Sequence, residues 1–122
     1  MSQNQTRIAV ITGGAGFLGI NLTRKLLSEG YDVLCIDRVP FEYPENDRVN
    51  FVHKDIRALT ERDLSLKPED IVIHAAAALP RNKRAEIFSV DVDGTKNVID
   101  LANRAGVKRF IHISTTAVYG VP

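Results

Sequence analysis

The sequence predicts an α/β fold, a doubly wound parallel sheet with helices on both faces, formed as one domain by 122 residues. Three observations point there. Five short apolar runs recur, at 8–11, 33–36, 50–52, 71–73 and 110–113, most of them continuously apolar as in strands buried on both faces. Helical or loop segments separate most of these runs. A glycine-rich turn, Thr12-Gly13-Gly14-Ala15-Gly16-Phe17-Leu18-Gly19, joins the first run to a helical pattern of Leu18, Leu22, Leu26 and Leu27.

Length and composition bound the rest. The chain can form one core but is too short for two domains. Its 44% hydrophobic and 25% charged residues suit a globular protein, and a formal charge of +1 gives no bulk attraction to nucleic acid or a membrane surface. No apolar stretch approaches the roughly 20 residues that cross a bilayer. Residues 1–5 are polar and lack the apolar centre of a signal peptide. The single cysteine, Cys35, has no internal disulfide partner, which suits a reducing, cytoplasmic setting.

Taken in order, the first helix begins near Phe17 and stops at Gly30, a residue suited to a C-terminal cap. Val39-Pro40-Phe41-Glu42-Tyr43-Pro44 reads as a loop, because two prolines oppose a helix. Residues 60–66 predict a short helix, with Thr60 as N-cap and Asp63 in its first turn. Pro68-Glu69-Asp70 then turns the chain into the fourth strand. Residues 82–105 predict a long helix with Ile87, Val90, Gly94, Val98, Leu101 and Ala105 on one stripe. A glycine inside a helix costs about 1 kcal/mol relative to alanine, so Gly94 implies close packing against a neighbour. Gly106 caps the end, and Lys108-Arg109 lead into the fifth strand.

Several residues carry chemical meaning. Gly14, Gly16 and Gly19 match G-x-G-x-x-G, and Gly13, Gly16 and Gly19 match a looser G-x-x-G-x-x-G; such a turn lets a diphosphate approach backbone N–H groups at a helix start. Asp37 ends the second strand eighteen positions after Gly19, where a carboxylate can accept hydrogen bonds from an adenosine ribose. It would repel a 2′-phosphate and so favours NAD over NADP, whereas the neighbouring Arg38 could pair with that phosphate. Asp55 could accept from the adenine amino group with Ile56 against the ring, or act only as a helix cap. His74 reads as a structural histidine, since no second ligand lies beside it at a metal-binding spacing, and no metal is expected. The small residues Ala75, Ala76 and Ala77 follow it at the end of a strand, where open α/β sheets bind ligands. Ser114, Thr115 and Thr116 face the same edge, although such clusters also serve in turns.

Together these pieces resemble the extended branch of the short-chain dehydrogenase/reductases, and more narrowly the NAD-dependent epimerases and dehydratases of nucleotide sugars. The resemblance runs from residue 12 to 120 and includes Asp37, Asp55-Ile56, His74-Ala75-Ala76, Val92-Asp93-Gly94-Thr95-Lys96-Asn97-Val98 and the segment 114–120. It implies a Rossmann-type sheet in the order 3-2-1-4-5, truncated after the fifth strand, with the substrate-binding region absent. The glycine turn with Phe17 and Leu18 would hold the pyrophosphate. Asp37 would hold the ribose, Asp55 and Ile56 the adenine, and 75–77 the nicotinamide side.

Thr115 falls where the family places its catalytic Ser/Thr. Two departures accompany the match: Asp91 stands where the family usually has Asn, and the family's Tyr-x-x-x-Lys does not occur after Thr115, Tyr119 being part of another signature. The expectation is therefore the NAD-binding part of an enzyme that works by transient hydride transfer at a sugar hydroxyl, binding cofactor without catalysis by itself. Its substrate would be a small molecule, with no nucleic-acid or membrane partner, and its fifth-strand edge would invite self-association. The alternatives are a non-catalytic dinucleotide sensor and a steroid- or flavonoid-type reductase fragment.

Overall fold

The apolar runs become five strands, β1 (Ile8–Thr12), β2 (Asp32–Asp37), β3 (Val49–His53), β4 (Ile71–His74) and β5 (Arg109–His112). All pair in parallel, in the expected order β3-β2-β1-β4-β5. The computed structural model describes residues 6–13, 17–38, 48–75, 85 and 89–113, without the side chains of Phe17 and Val90. The proline loop at 39–44 lies outside the described residues.

Each continuous apolar run is divided between two cores by the two-residue period of a strand. Val10, Ile36 and Val72 face one side, where they meet Ile56, Leu59, Leu64, Val98, Leu101 and Ala102. Ala9, Ile11, Val33, Cys35, Ile71 and Ile73 face the other and meet Leu26 and Tyr31. Helix α1 (Phe17–Ser28) covers the second face and helix α2 (Thr95–Arg104) the first. This is why the central strands read as unbroken hydrophobic runs.

The glycine caps hold: Gly30 and Gly106 follow their helices with φ of 93° and 72°, a region that costs an L-residue strain. Two other expectations are corrected. Residues 61–63 form a turn and 64–66 do not continue it as a helix; the Asp63 carboxylate accepts from the Thr60 N–H at 2.9 Å, as at a helix start, and from Lys54 Nζ at 3.0 Å. The long helix is α-helical only over Thr95–Arg104 among residues 89–105; Ser89–Gly94 before it is a wider π-helical segment. That change of pitch moves the inward stripe, so Val98, Leu101 and Ala102 are buried while Ala105 is only half-buried. Ile87 lies outside the described residues.

Cys35 is fully buried in the core under α1, with Thr23 Oγ1 at 3.5 Å from its Sγ. Burial pushes its thiol pKa up, opposed by the Thr23 hydrogen bond and reinforced by the Asp37 charge. Since the thiolate is the reactive form, the native chain should react negligibly with an aromatic disulfide reagent at mildly alkaline pH, and rapidly after denaturation. Fast labelling of the native chain would contradict this placement.

Candidate functional site

At the carboxyl ends of the strands, β1 runs into the glycine turn. Gly13 has φ of 77° and donates its N–H to the Ile36 carbonyl of β2 at 2.7 Å. That bond extends the β1–β2 ladder by one residue into the turn. Residues 14–16, Gly16 among them, are outside the described set. α1 starts at Phe17; Leu18 in its first turn is 46% exposed, and Gly19 is buried, its carbonyl accepting from Thr23 Oγ1 at 2.7 Å.

Asp37 and His53 end β2 and β3 in register, and Lys54 N–H binds the Asp37 carbonyl at 3.1 Å. Beyond them Asp55 caps a 3-10 turn at Ile56–Ala58, so the capping role weighed for it is real. Its Oδ1 accepts from the Arg57 N–H and Nε, each at 2.9 Å, and its Oδ2 from Arg57 Nη2 at 2.5 Å. Arg38 Nε lies 3.6 Å from the same Oδ2. The two guanidiniums hold the Asp55 carboxyl below its ordinary pKa, chiefly through the Arg57 hydrogen bond. Arg57 Nη1 also donates to Ser89 Oγ at 3.0 Å, tying this turn to the π-helical segment.

Ile56 is placed differently from the expectation that it lies against an adenine ring. Its side chain is 4% exposed and packed in the core, so only its backbone is available at the sheet edge. An ideal Cβ on Gly94 would come within 2.5 Å of Ile56 Cδ1, which is the physical reason for glycine there. Asn97 completes the support by donating from Nδ2 to the carbonyls of Ile56 at 2.9 Å and Leu59 at 3.0 Å.

A second constellation joins β1, β4 and α2. The register pairs Thr12 with His74 and His74 with His112, so all three point to one face. His74 is fully buried, its Nδ1 2.7 Å from Thr12 Oγ1 and its Nε2 2.9 Å from Thr95 Oγ1. The Ala75 N–H donates to Thr12 Oγ1 at 2.9 Å and to the Thr12 carbonyl at 3.1 Å. A neutral imidazole has one donor and one acceptor nitrogen, so both hydroxyl contacts are met without charge. Burial, helped by the nearby His112 and opposed by Asp91, lowers its pKa to about 4. Thr12, Thr95 and Asn97 lie within the sequence motifs, but their partners are far along the chain and give no local signal, whereas Arg57 grips Asp55 only two positions away and reaches Ser89 across the fold.

Ala75 stands at the edge, while Ala76, Ala77 and Thr115 are outside the described residues. Among the described residues no group of three or more His, Cys, Asp or Glu could hold a metal ion. No helix there is long and apolar enough to cross a membrane.

A family model described as the NAD dependent epimerase/dehydratase family matches residues 9–122. The chain belongs to that family. It is 33% identical over 117 residues to a 3-beta-hydroxysteroid dehydrogenase of Mycolicibacterium neoaurum, a match covering 89% of this chain and 32% of that protein. Among solved structures it resembles the Bordetella bronchiseptica enzyme WbmG in complex with NAD, with a TM-score of 0.82 and 34% identity over 98% of this chain and 41% of that one. It also resembles a Thermotoga maritima UDP-glucose 4-epimerase with UDP-glucose, with a TM-score of 0.77 and 29% identity over 88% of this chain and 38% of that one. The chain spans about a third of the length of the curated relative it matches. The family is NAD-dependent, and the edge described here fits that cofactor. A left-handed glycine opens the turn before a helix start, and a carboxylate ends the neighbouring strand.

Proposed function

We propose that this chain is the NAD-binding part of an epimerase/dehydratase-type enzyme acting on a nucleotide sugar. The observation that carries the reading is the meeting of Gly13, Asp37, Asp55 and Ala75 at one edge of the sheet. In this reading Gly13, Gly16, Phe17, Leu18 and Gly19 hold the pyrophosphate, where a helix start favours an anion. Asp37 accepts from the ribose hydroxyls. Asp55, although engaged by Arg57, uses its remaining acceptor capacity for the adenine amino group, beside the Ile56 backbone. Ala75, Ala76 and Ala77 give the nicotinamide side room against the backbone.

Bound NAD supplies a hydride acceptor for a sugar carbon bearing a hydroxyl. Thr115 hydrogen-bonds the reacting oxygen. Removing the hydroxyl proton requires a base, which the family's Tyr-x-x-x-Lys supplies and which residues 1–122 do not contain. The chain by itself therefore binds cofactor without catalysis.

Calorimetric titration with NAD and NADP tests the reading. NAD should bind more tightly, and Asp37→Ala should weaken it by about tenfold or more, since a charged acceptor is lost. Tighter NADP binding, or an Asp37→Ala variant that binds NAD unchanged, would refute the ribose assignment. A steroid-type reductase is the second reading, favoured by the hydroxysteroid dehydrogenase relative, which is 33% identical to the chain against 29% for the UDP-glucose 4-epimerase. We also propose self-association through β5, whose Ile111 is 47% exposed at the edge of the described sheet. Monomeric behaviour at high concentration in size-exclusion chromatography would count against it.

A further inference from the structure

The strand ends at Asp37 and His53 carry two acidic and two basic residues, Asp37, Arg38, Asp55 and Arg57, whose pairing goes beyond holding an adenosine. Judged alone, Arg38 would favour a 2′-phosphate, because a guanidinium beside the ribose is a phosphate donor. Its surroundings direct it elsewhere. Its Nε is 3.6 Å from Asp55 Oδ2, and its backbone carbonyl accepts from the His53 ring. Asp55 is held in place in turn, because Arg57 grips both its oxygens and is tied through Ser89 to the π-helical segment. The neighbouring Lys54 is neutralised separately by Asp63 at 3.0 Å.

We infer that Asp55 is a specificity-determining residue for the dinucleotide, because it draws the Arg38 guanidinium away from a 2′-phosphate. The inference rests on the adenosine reading of this edge. Preference for NAD then has two sources: Asp37 repels the phosphate, and Asp55 restrains the cation that would receive it. The formal charge of the four residues is zero, and neutralising Asp55 leaves it at +1, which attracts a phosphate dianion.

The substitution Asp55→Asn separates this role from contact with adenine. Asparagine caps a helical turn as well as aspartate, so the Ile56–Ala58 turn keeps its Arg57 N–H bond. NAD and NADP carry the same adenine, so any loss of adenine contact cancels in the ratio of their affinities. That ratio, measured by calorimetry on the full chain, should shift toward NADP by about threefold to fivefold, the scale of an exposed ion pair. The shift should shrink at high salt and vanish when Arg38→Gln is added.

An unchanged ratio, with both nucleotides still bound, would overturn the inference. Failure of the parent chain to bind either nucleotide would instead overturn the adenosine reading on which it rests. If Asp55→Asn does not fold, Arg38→Gln alone decides. A restrained Arg38 predicts a change in NADP affinity of less than about twofold, and a larger loss confined to NADP refutes the restraint.

Discussion

Replacing His74 by alanine is expected to cost about 3–5 kcal/mol, the sum of a buried cavity and two hydroxyls left without their partner. That is a large fraction of the roughly 5–15 kcal/mol by which small domains are stable. His74 is fully buried and bridges Thr12 and Thr95, so its loss removes the side-chain link from the end of β1 through β4 to the start of α2, leaving the backbone ladder between the strands. Urea denaturation followed by circular dichroism reads the effect. Partial substitutes should lose less: Asn can reproduce the Nδ1 contact and Gln the Nε2 contact. A cost below about 1 kcal/mol for the alanine variant would remove His74 from this role.

The same residue sets an acid limb of stability. His74 takes a proton at 6.5 in the unfolded chain but only near 4 when folded, so protons favour unfolding across that interval. Stability should be highest above pH 6.5 and decline by roughly 3 kcal/mol as pH falls to 4, at 1.36 kcal/mol per unit. Below that the His74 contribution is flat. Asp55 and Asp63, whose pKa values are lowered from 3.8, add their own loss as pH falls further. Denaturation midpoints of the Gln variant should lack the limb between 6.5 and 4; a limb that persists unchanged assigns it to another group.

The second large effect concerns Gly94. Its φ of −64° is ordinary, so space alone forbids a side chain: an ideal Cβ would lie 2.5 Å from Ile56 Cδ1 and 2.6 Å from Cγ1. Gly94→Ala should cost about 1–3 kcal/mol through overpacking, even though alanine is the better helix former. Because Asp55 precedes Ile56, a displaced Ile56 should also weaken NAD binding. Ile56→Ala in the same chain should relieve the clash and produce a favourable coupling in a double-mutant cycle. Additive costs, or a stabilised Gly94→Ala chain, would disprove the contact.

Five apolar runs, the glycine caps at Gly30 and Gly106, and the glycine-rich turn make the fold class legible in the sequence, because each acts through its near neighbours, whereas the strand order β3-β2-β1-β4-β5 was legible only through the family resemblance. Asp37 was legible for the same reason, as a strand-end residue at a set distance from the turn. At 60–66 the local signal of a helix start is real, since Asp63 accepts from the Thr60 N–H, but the chain makes only one turn at 61–63. The regular pitch expected before Thr95 gave way to a π-helical segment.

Sequence by itself thus determined the parallel sheet, its two buried faces and the strand-end position of Asp37 beside the glycine turn. Only the tertiary structure decided which polar atoms meet there. Thr12 and His74 are 62 positions apart, and Arg38 and Asp55 follow the ends of different strands. Ile56 and Gly94 touch across the gap between a turn and a helix. Such contacts depend on strand register and helix packing, which arise from the whole chain's burial and leave no trace in local spacing.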